Sequence, residues 1–262
     1  MNRERAAELI WDAWRTGKRL EGLPDDARPR DAAEGMAAQA ALAELAGPVS
    51  GWKIAATTAY ARQYLDVPGP LPGVMFERFR HAEGEPVPAD TMTMGVAEPE
   101  FAFRLKADPG LSPSLTAVLD AVDTMFLALE MPDSRYTDHQ HAGGPQLLAD
   151  VACAGRFVEG RAVPGWRDLE LPRQAVVLHA DGEEFSRGSG SLVLGDPRLA
   201  LHWLAMELAR HGRSLRPGDV VTTGTATPPC PIHAGGHVMA DFGALGSVEV
   251  RFAGERSTPP PS

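Results

Sequence analysis

The sequence predicts an α+β fold with a helical N-terminal region. Two observations carry this. Helical patterning fills most of the first 46 residues and returns in one long later segment, while the rest reads mainly as strands and closes on a hairpin. Helices followed by a run of strands is the α+β order, not the alternation of βαβ units. A length of 262 residues suits one large domain or two small ones.

Taken in order, residues 3–16 form an amphipathic helix. Leu9, Ile10, Ala13 and Trp14 share a face, and Gly17 can end it. "GLPDDARPR" is a turn-rich link. Residues 31–46 form a second helix, with Asp31 near its start and Gly47 at its stop. "SGWKIAAT" at 50–57 reads as a short strand, "VPGPLPG" at 67–73 as a loop, and 95–105 as a strand. "LTAVLDAVDTMFLALEM" begins as a helix and ends as a strand, because "MFLALEM" is a continuous apolar run. "DPRLALHWLAMELARHG" is the clearest helix: Asp196 caps it, Pro197 takes its first position and Gly212 lies just past its end. "RPGDVVTTG" follows as turn and strand. "HVMADFGALGSVEVRF" alternates Val238, Ala240, Phe242, turns at "GALG", and alternates again at Val248, Val250, Phe252. No repeat and no linker interrupts the chain. The expected division is a helical region with a lysine-bearing strand at 1–80, a core at 81–253, and a disordered tail, "GERSTPPPS", from 254.

Composition narrows the function classes. The chain is 44% hydrophobic and 23% charged, as in an ordinary soluble globular protein. A formal net charge of −10 argues against a nucleic-acid partner. No apolar run is long enough for a membrane span, and "MNRERAAELIW" lacks a signal-peptide core. Two cysteines, Cys153 and Cys230, make neither a disulfide framework nor a zinc site; small core residues are the simpler reading. A reducing, cytoplasmic setting is expected.

"GVAEPEFAF" at 95–103 poses the functional question. On a strand, Glu98 and Glu100 fall on one face, side by side, within an otherwise apolar run. Like charges as neighbours repel, and burying either alone is costly. A hard divalent cation (Mg²⁺, Mn²⁺ or Ca²⁺) would turn that repulsion into attraction. Glu130, closing the apolar run "MFLALE", is a candidate third ligand. The pattern alone is equally served by a solvated edge strand paired with arginines. Lys53 in "GWKIA" needs a counter-charge if buried; beside a carboxylate–metal cluster it would neutralise an anionic substrate. Otherwise it is a snorkelling surface lysine. The histidine pairs His139/His141 and His233/His237 stand in loop-like sequence without supporting ligands and read as surface residues. "RGSGSLVLGDP" lacks the Gly-Lys-Ser/Thr of a P-loop.

Seven segments, in order, resemble the fumarylacetoacetate hydrolase superfamily: "GWKIAATT", "EPEFAF", "ALEMPDSRY", "ADVACAGRFV", "GSLVLGDPRLALHWLAMEL", "LRPGDVVTTGT" and "ADFGALGSVEVRF". They look closest to its branch of 2-keto-4-pentenoate hydratases and 4-oxalocrotonate decarboxylases. The resemblance implies a mixed β-roll with peripheral helices, a homo-oligomer, and a role in aromatic catabolism. It implies Mg²⁺ or Mn²⁺ held by Glu98, Glu100 and Glu130, with Lys53 as the active-site lysine. A 2-oxo or 2-hydroxydienoic acid would chelate the cation, which stabilises the developing enolate, and Lys53 would act as electrostatic stabiliser or proton donor. Asp150, Cys153, Thr223 and Thr225 would line the substrate pocket.

Two departures stand out. Where the family commonly carries an acid after the lysine, this chain reads Pro70-Leu71-Pro72-Gly73. Where the family has Ala-Asp-Asn-Ala-Ser, it reads Ala149-Asp150-Val151-Ala152-Cys153. Both changes remove hydrogen-bonding capacity. The expected function is a metal-dependent lyase, a hydratase first and a decarboxylase next. The alternatives are an acylpyruvate-type C–C hydrolase, or a relative that binds a 2-oxo acid without turnover. The hydrolase branch uses a His/Glu dyad near the N-terminus, and the first histidine here is His81, after the lysine strand.

Overall fold

The computed structural model describes residues 1–254; the expected tail lies outside the described residues from 255 onward. Helix α1 (Arg3–Thr16) is capped by Asn2, whose side chain accepts from the Arg5 amide, and ends on Gly17 in the left-handed region. Helix α2 (Ala32–Ala46) is capped by Asp31, which accepts from the Glu34 amide. In return Glu34 accepts from the Arg30 amide at 2.9 Å, so two amides at the helix start are satisfied locally.

The remaining elements are β1 (Val49–Ala55), α3 (Ala59–Tyr64), β2 (Leu71–Phe76), β3 (Arg80–Ala82), β4 (Val96–Leu105), α4 (Leu115–Asp120), β5 (Val122–Met131), α5 (Gly144–Ala149), β6 (Arg156–Ala162), β7 (Ala175–Ala180), β8 (Glu183–Ser189), α6 (Pro197–Arg210), β9 (Val220–Thr225), β10 (Cys230–Pro231), β11 (His237–Asp241) and β12 (Ser247–Arg251). The larger sheet runs β2-β1-β9-β4-β5-β6-β3, with β10 added to β4; the smaller runs β12-β11-β7-β8. Parallel pairings at β1–β9 and β3–β6 among antiparallel ones make the larger sheet mixed. This is the expected α+β β-roll with peripheral helices. Strands β1 and β2, which precede residue 80, belong to the same sheet as β4, β5 and β9, so the core extends back to residue 49.

Most expected elements appear with bounds within a few residues. The 67–73 segment differs: β2 begins inside it at Leu71. Pro72 is tolerated because β2 is an edge strand. That edge is covered by the buried Gln39 of α2, which donates to the Pro72 and Leu148 carbonyls and accepts from the Val74 amide. The smaller sheet packs across β5 and β6. At Gly160 a Cβ would sit 2.7 Å from the Val248 side chain, so the close approach of the two sheets needs glycine there.

Candidate active site

Strand β4 is central in the larger sheet, between β5 and β9. Its register places Glu98 opposite Glu130 of β5. Glu98 and Glu100 share a face of β4, and one carboxylate oxygen from each of the three glutamates lies within 4.8 Å of the other two. Glu100 and Glu130 are buried, and Glu98 is partly exposed. The sheet thus brings together the three expected metal ligands; among the described residues no other His/Cys/Asp/Glu group converges this way.

Lys53, on β1, reaches the same point. Its Nζ lies 3.2 Å from Glu130 Oε1 and donates to the Ala152 carbonyl at 3.3 Å, with only 3% of the side chain exposed. It is therefore not a snorkelling lysine. Burial alone would discharge it, but Glu130, Glu98 and Glu100 outweigh burial and hold it above the usual lysine range.

One ammonium does not balance three carboxylates. Burial pushes Glu98 up to about 7, against the pull of Lys53 and with the push of Glu130. Glu100 is raised well above the usual carboxyl range by burial, then by Glu130 and Glu98. In the metal-free fold these carboxyls therefore hold protons that the unfolded chain releases near 4.5. The folded state binds more protons than the unfolded one, so its stability falls as pH rises from about 4.5 through about 7. The melting temperature in EDTA is expected to be several degrees lower at pH 8 than at pH 5.5. Added Mn²⁺, which binds the deprotonated set, should raise it most at pH 8.

Glu100 Oε1 and Glu130 Oε2 are buried and have no hydrogen-bond partner. Buried carboxylate oxygens are ordinarily satisfied, and an all-oxygen set with two free ligand atoms fits a hard divalent cation. The other oxygen of Glu100 is fixed. The β4–β9 register is irregular between Glu100 and Ala102, and in that bulge Gly224 (φ 105°) turns its amide to donate to Glu100 Oε2 at 2.7 Å. A Cβ at Gly224 would lie 2.1 Å from Thr57 Oγ1, so only glycine serves.

The expected substrate contacts fare differently. Thr223 Oγ1 donates to the Phe101 carbonyl and Thr225 Oγ1 to the Thr227 carbonyl, so both hydroxyl protons are used within the fold. Cys153 is buried, and burial pushes its thiol up to about 12. Asp150 is fully buried. Its carboxylate accepts from Ser134 Oγ, the Arg135 amide and Arg135 Nε. Arg135 in turn donates to the Ala154 and Asp150 carbonyls. This pair braces a turn no pattern had suggested: Val151, Ala152 and Cys153 all have positive φ, at 47°, 50° and 59°. Such residues cost roughly 1–2 kcal/mol each. The turn delivers the Ala152 carbonyl to Lys53 Nζ. Asp150 therefore acts through its neighbours. Asp150→Asn should cost about 3 kcal/mol by leaving Arg135 buried without its counter-ion, as read by chemical denaturation.

Gly224, Ala152 and Arg135 were not singled out from sequence; a glycine inside "TTGT" was the one available hint. The four other histidines considered are bound elsewhere: His139 to Tyr64, His141 to Asp138, His233 to Asp181 and His237 to Glu249. Both cysteines are free and buried. Among the described residues no helix is long and apolar enough to cross a membrane.

Known proteins resemble this chain along most of its length. Residues 65–253 match the family described as fumarylacetoacetate (FAA) hydrolase C-terminal. The chain is 35% identical to a 2-keto-4-pentenoate hydratase of Burkholderia vietnamiensis over 205 residues, 78% of each chain. It is 30% identical to that of Paraburkholderia xenovorans over 255 residues, 95% of this chain and 94% of the relative. Among solved structures, 4-oxalocrotonate decarboxylase from Pseudomonas putida G7, complexed with magnesium and adipate, superposes with a TM-score of 0.87 at 26% identity, covering 95% of this chain and 97% of that one.

Proposed function

The chain belongs to the fumarylacetoacetate hydrolase C-terminal family, and on that premise we propose that it is a divalent-metal-dependent lyase acting on a 2-oxo or 2-hydroxydienoic acid, as a hydratase. The observation that carries the reading is the pair of unpartnered, buried oxygens on Glu100 and Glu130 beside a charged Lys53. Glu98, Glu100 and Glu130 would hold Mg²⁺ or Mn²⁺. When bound, such a cation supplies Lewis-acid stabilisation of negative charge on a chelating 2-oxo acid.

The chain's own groups do the rest. Lys53 stays cationic, oriented by Glu130 and the Ala152 carbonyl, and presents a proton donor and a positive charge to an anionic substrate. The Gly224 amide holds Glu100 in one orientation. Asp150 and Arg135 keep the left-handed turn, and with it the Ala152 carbonyl, in place. Thr223 and Thr225 shape the wall behind Glu100 without donating to substrate.

Decarboxylation is the second reading, and a specific feature favours it. Leu71 and Val151 are buried and apolar where the family places an acid and an amide. Loss of CO₂ needs the electron sink but no positioned water. The deciding experiment follows the dienol absorbance of 2-hydroxypenta-2,4-dienoate with and without EDTA, then assays products. A hydroxy-keto acid supports the hydratase, and CO₂ from a 2-oxo diacid supports the decarboxylase. Turnover unaffected by EDTA would refute both. The C–C hydrolase alternative gains nothing from His81, which sits on β3 at the edge of the sheet. The two free cysteines support a reducing, cytoplasmic setting. A homo-oligomer is what the family resemblance implies, to be read by light scattering.

A further inference from the structure

A cavity of about 550 Å³ opens between the C-terminal half of α1, Arg78 and Phe79, the 90–93 segment and the start of β6. None of Lys53, Glu98, Glu100 and Glu130 lines it. Arg156 and Phe157 are consecutive on β6 and so point to opposite faces. Phe157 lies opposite Glu130 on the carboxylate side, whereas Arg156 lines the cavity, and a narrow pocket bounded by Phe79, Gly155, Arg156 and Phe157 reaches from there to Glu130.

Three rings form one wall. Trp14 and Phe79 stack with centroids 4.5 Å apart, and Trp11 meets Trp14 edge-on at 6.3 Å. Arginines lie against these rings, Arg135 over Trp14 at 3.9 Å among them. The Arg78 guanidinium lies 5.1 Å from the Trp11 ring, and Arg156 lies 5.8 Å from Phe79. Among the described residues neither forms a direct ion pair with an acid. Arg78 donates only to the Ala46 carbonyl, and Arg156 meets His81 Nε2 and Thr91 Oγ1. Arg19 spans the cavity to Asp133, but its Nε is buried with no acceptor. Burial lowers Arg156 below the usual guanidinium range, against the pull of Asp133 and Asp90. All this occurs in a chain of net charge −10.

Guanidinium groups with open donors match a carboxylate or phosphate. Two features choose between them. The aromatic wall favours a flat ligand, and Asp90 and Asp133 in the lining disfavour a multiply charged one. We infer that this cavity is a second binding site, for a small planar monocarboxylate whose conjugated plane lies along Trp11 and Phe79 and whose carboxylate is taken by Arg78 and Arg156. The inference does not depend on the lyase reading, because it uses none of the residues assigned there.

Benzoate is the probe, and benzamide its neutral isostere. The metal-loaded protein is titrated with each by calorimetry, with tryptophan fluorescence as a second readout of Trp11 and Trp14. Benzoate also has the carboxylate needed to bind at the metal centre, so the Glu100→Gln variant is titrated in parallel. Saturable benzoate binding that survives Glu100→Gln, changes tryptophan emission, and weakens at least about tenfold in the Arg78→Gln/Arg156→Gln variant supports the site. Benzamide should bind about tenfold more weakly than benzoate to the wild type. The inference is overturned if benzoate binding is abolished by Glu100→Gln, if benzamide binds as tightly, or if the arginine variant binds unchanged. Retained turnover shows that the arginine variant is folded; if the double variant does not fold, Arg156→Gln alone is read in the same way, with the benzoate–benzamide contrast standing independently.

Discussion

Glu100→Gln should abolish divalent-metal binding, lower turnover by at least about a thousand-fold, and raise the melting temperature of the metal-free protein at pH 8. The three effects share one cause. Glu100 is buried, its Oε1 has no partner, and its carboxyl resists ionising because Glu130 and Glu98 stand beside it. Glutamine keeps the shape and still accepts from the Gly224 amide, so the bulge at Gly224 has no reason to change. What disappears is one anionic ligand of three. A cation that stabilises transition-state charge by several kcal/mol is then lost, and about 4 kcal/mol corresponds to a factor of about a thousand in rate. Without metal, the same substitution removes a carboxyl that must either keep its proton or ionise beside its neighbours, and the fold gains. Unchanged Mn²⁺ affinity by calorimetry would show that the carboxylates serve some other purpose. A fall in metal-free stability would show that they are not in conflict.

Much of this was legible from residues whose local chemistry is strong. Asp31, Asp196 and Gly17 mark helix ends because a short polar side chain can satisfy the orphan amides of a first turn, and glycine tolerates the left-handed stop. Glu98 and Glu100 stood out because charge repeated at a spacing of two inside an apolar run conflicts with burial unless something resolves it. Other parts were obscured by local signals that pointed elsewhere. Pro70 and Pro72 suggested only a loop, yet an edge strand accepts Pro72 when its exposed face is covered by Gln39. The β7–β8 hairpin has only a short local signal, Asp181-Gly182, which carries the φ signs its turn requires. The left-handed turn at 151–153 could not be read at all. None of Val151, Ala152 and Cys153 favours positive φ, and the conformation is imposed by Arg135, Asp150 and the backbone of β2. The hydrogen bonds of Asp150 and Thr223 are hidden in the sequence for the same reason: the fold, not the local pattern, supplies their partners.

Lys53→Met should cut turnover by about a thousand-fold while leaving Mn²⁺ affinity undiminished, and this separation distinguishes a catalytic lysine from a structural one. Methionine fills nearly the same volume along the same path, so loss of the ammonium is the main change. The ammonium is held charged by three glutamates and aimed by Glu130 Oε1 and the Ala152 carbonyl. Removing a preorganised charge from a buried site that develops negative charge typically costs two to three powers of ten, about 2.7–4 kcal/mol. Metal affinity should respond in the opposite sense. Lys53 and a bound cation are like charges competing for the same oxygens, so its loss frees Glu130 Oε1 and makes the site more anionic. Calorimetry should find Mn²⁺ binding as tight as in wild type or tighter. Metal-free Lys53→Met should be less stable at pH 8, since the carboxylates lose their one nearby counter-charge, and added Mn²⁺ should recover the difference. A variant that turns over at the wild-type rate would reduce Lys53 to a structural counter-ion. One that loses metal and turnover together would mean that the ammonium organises the carboxylates and does not act on the substrate.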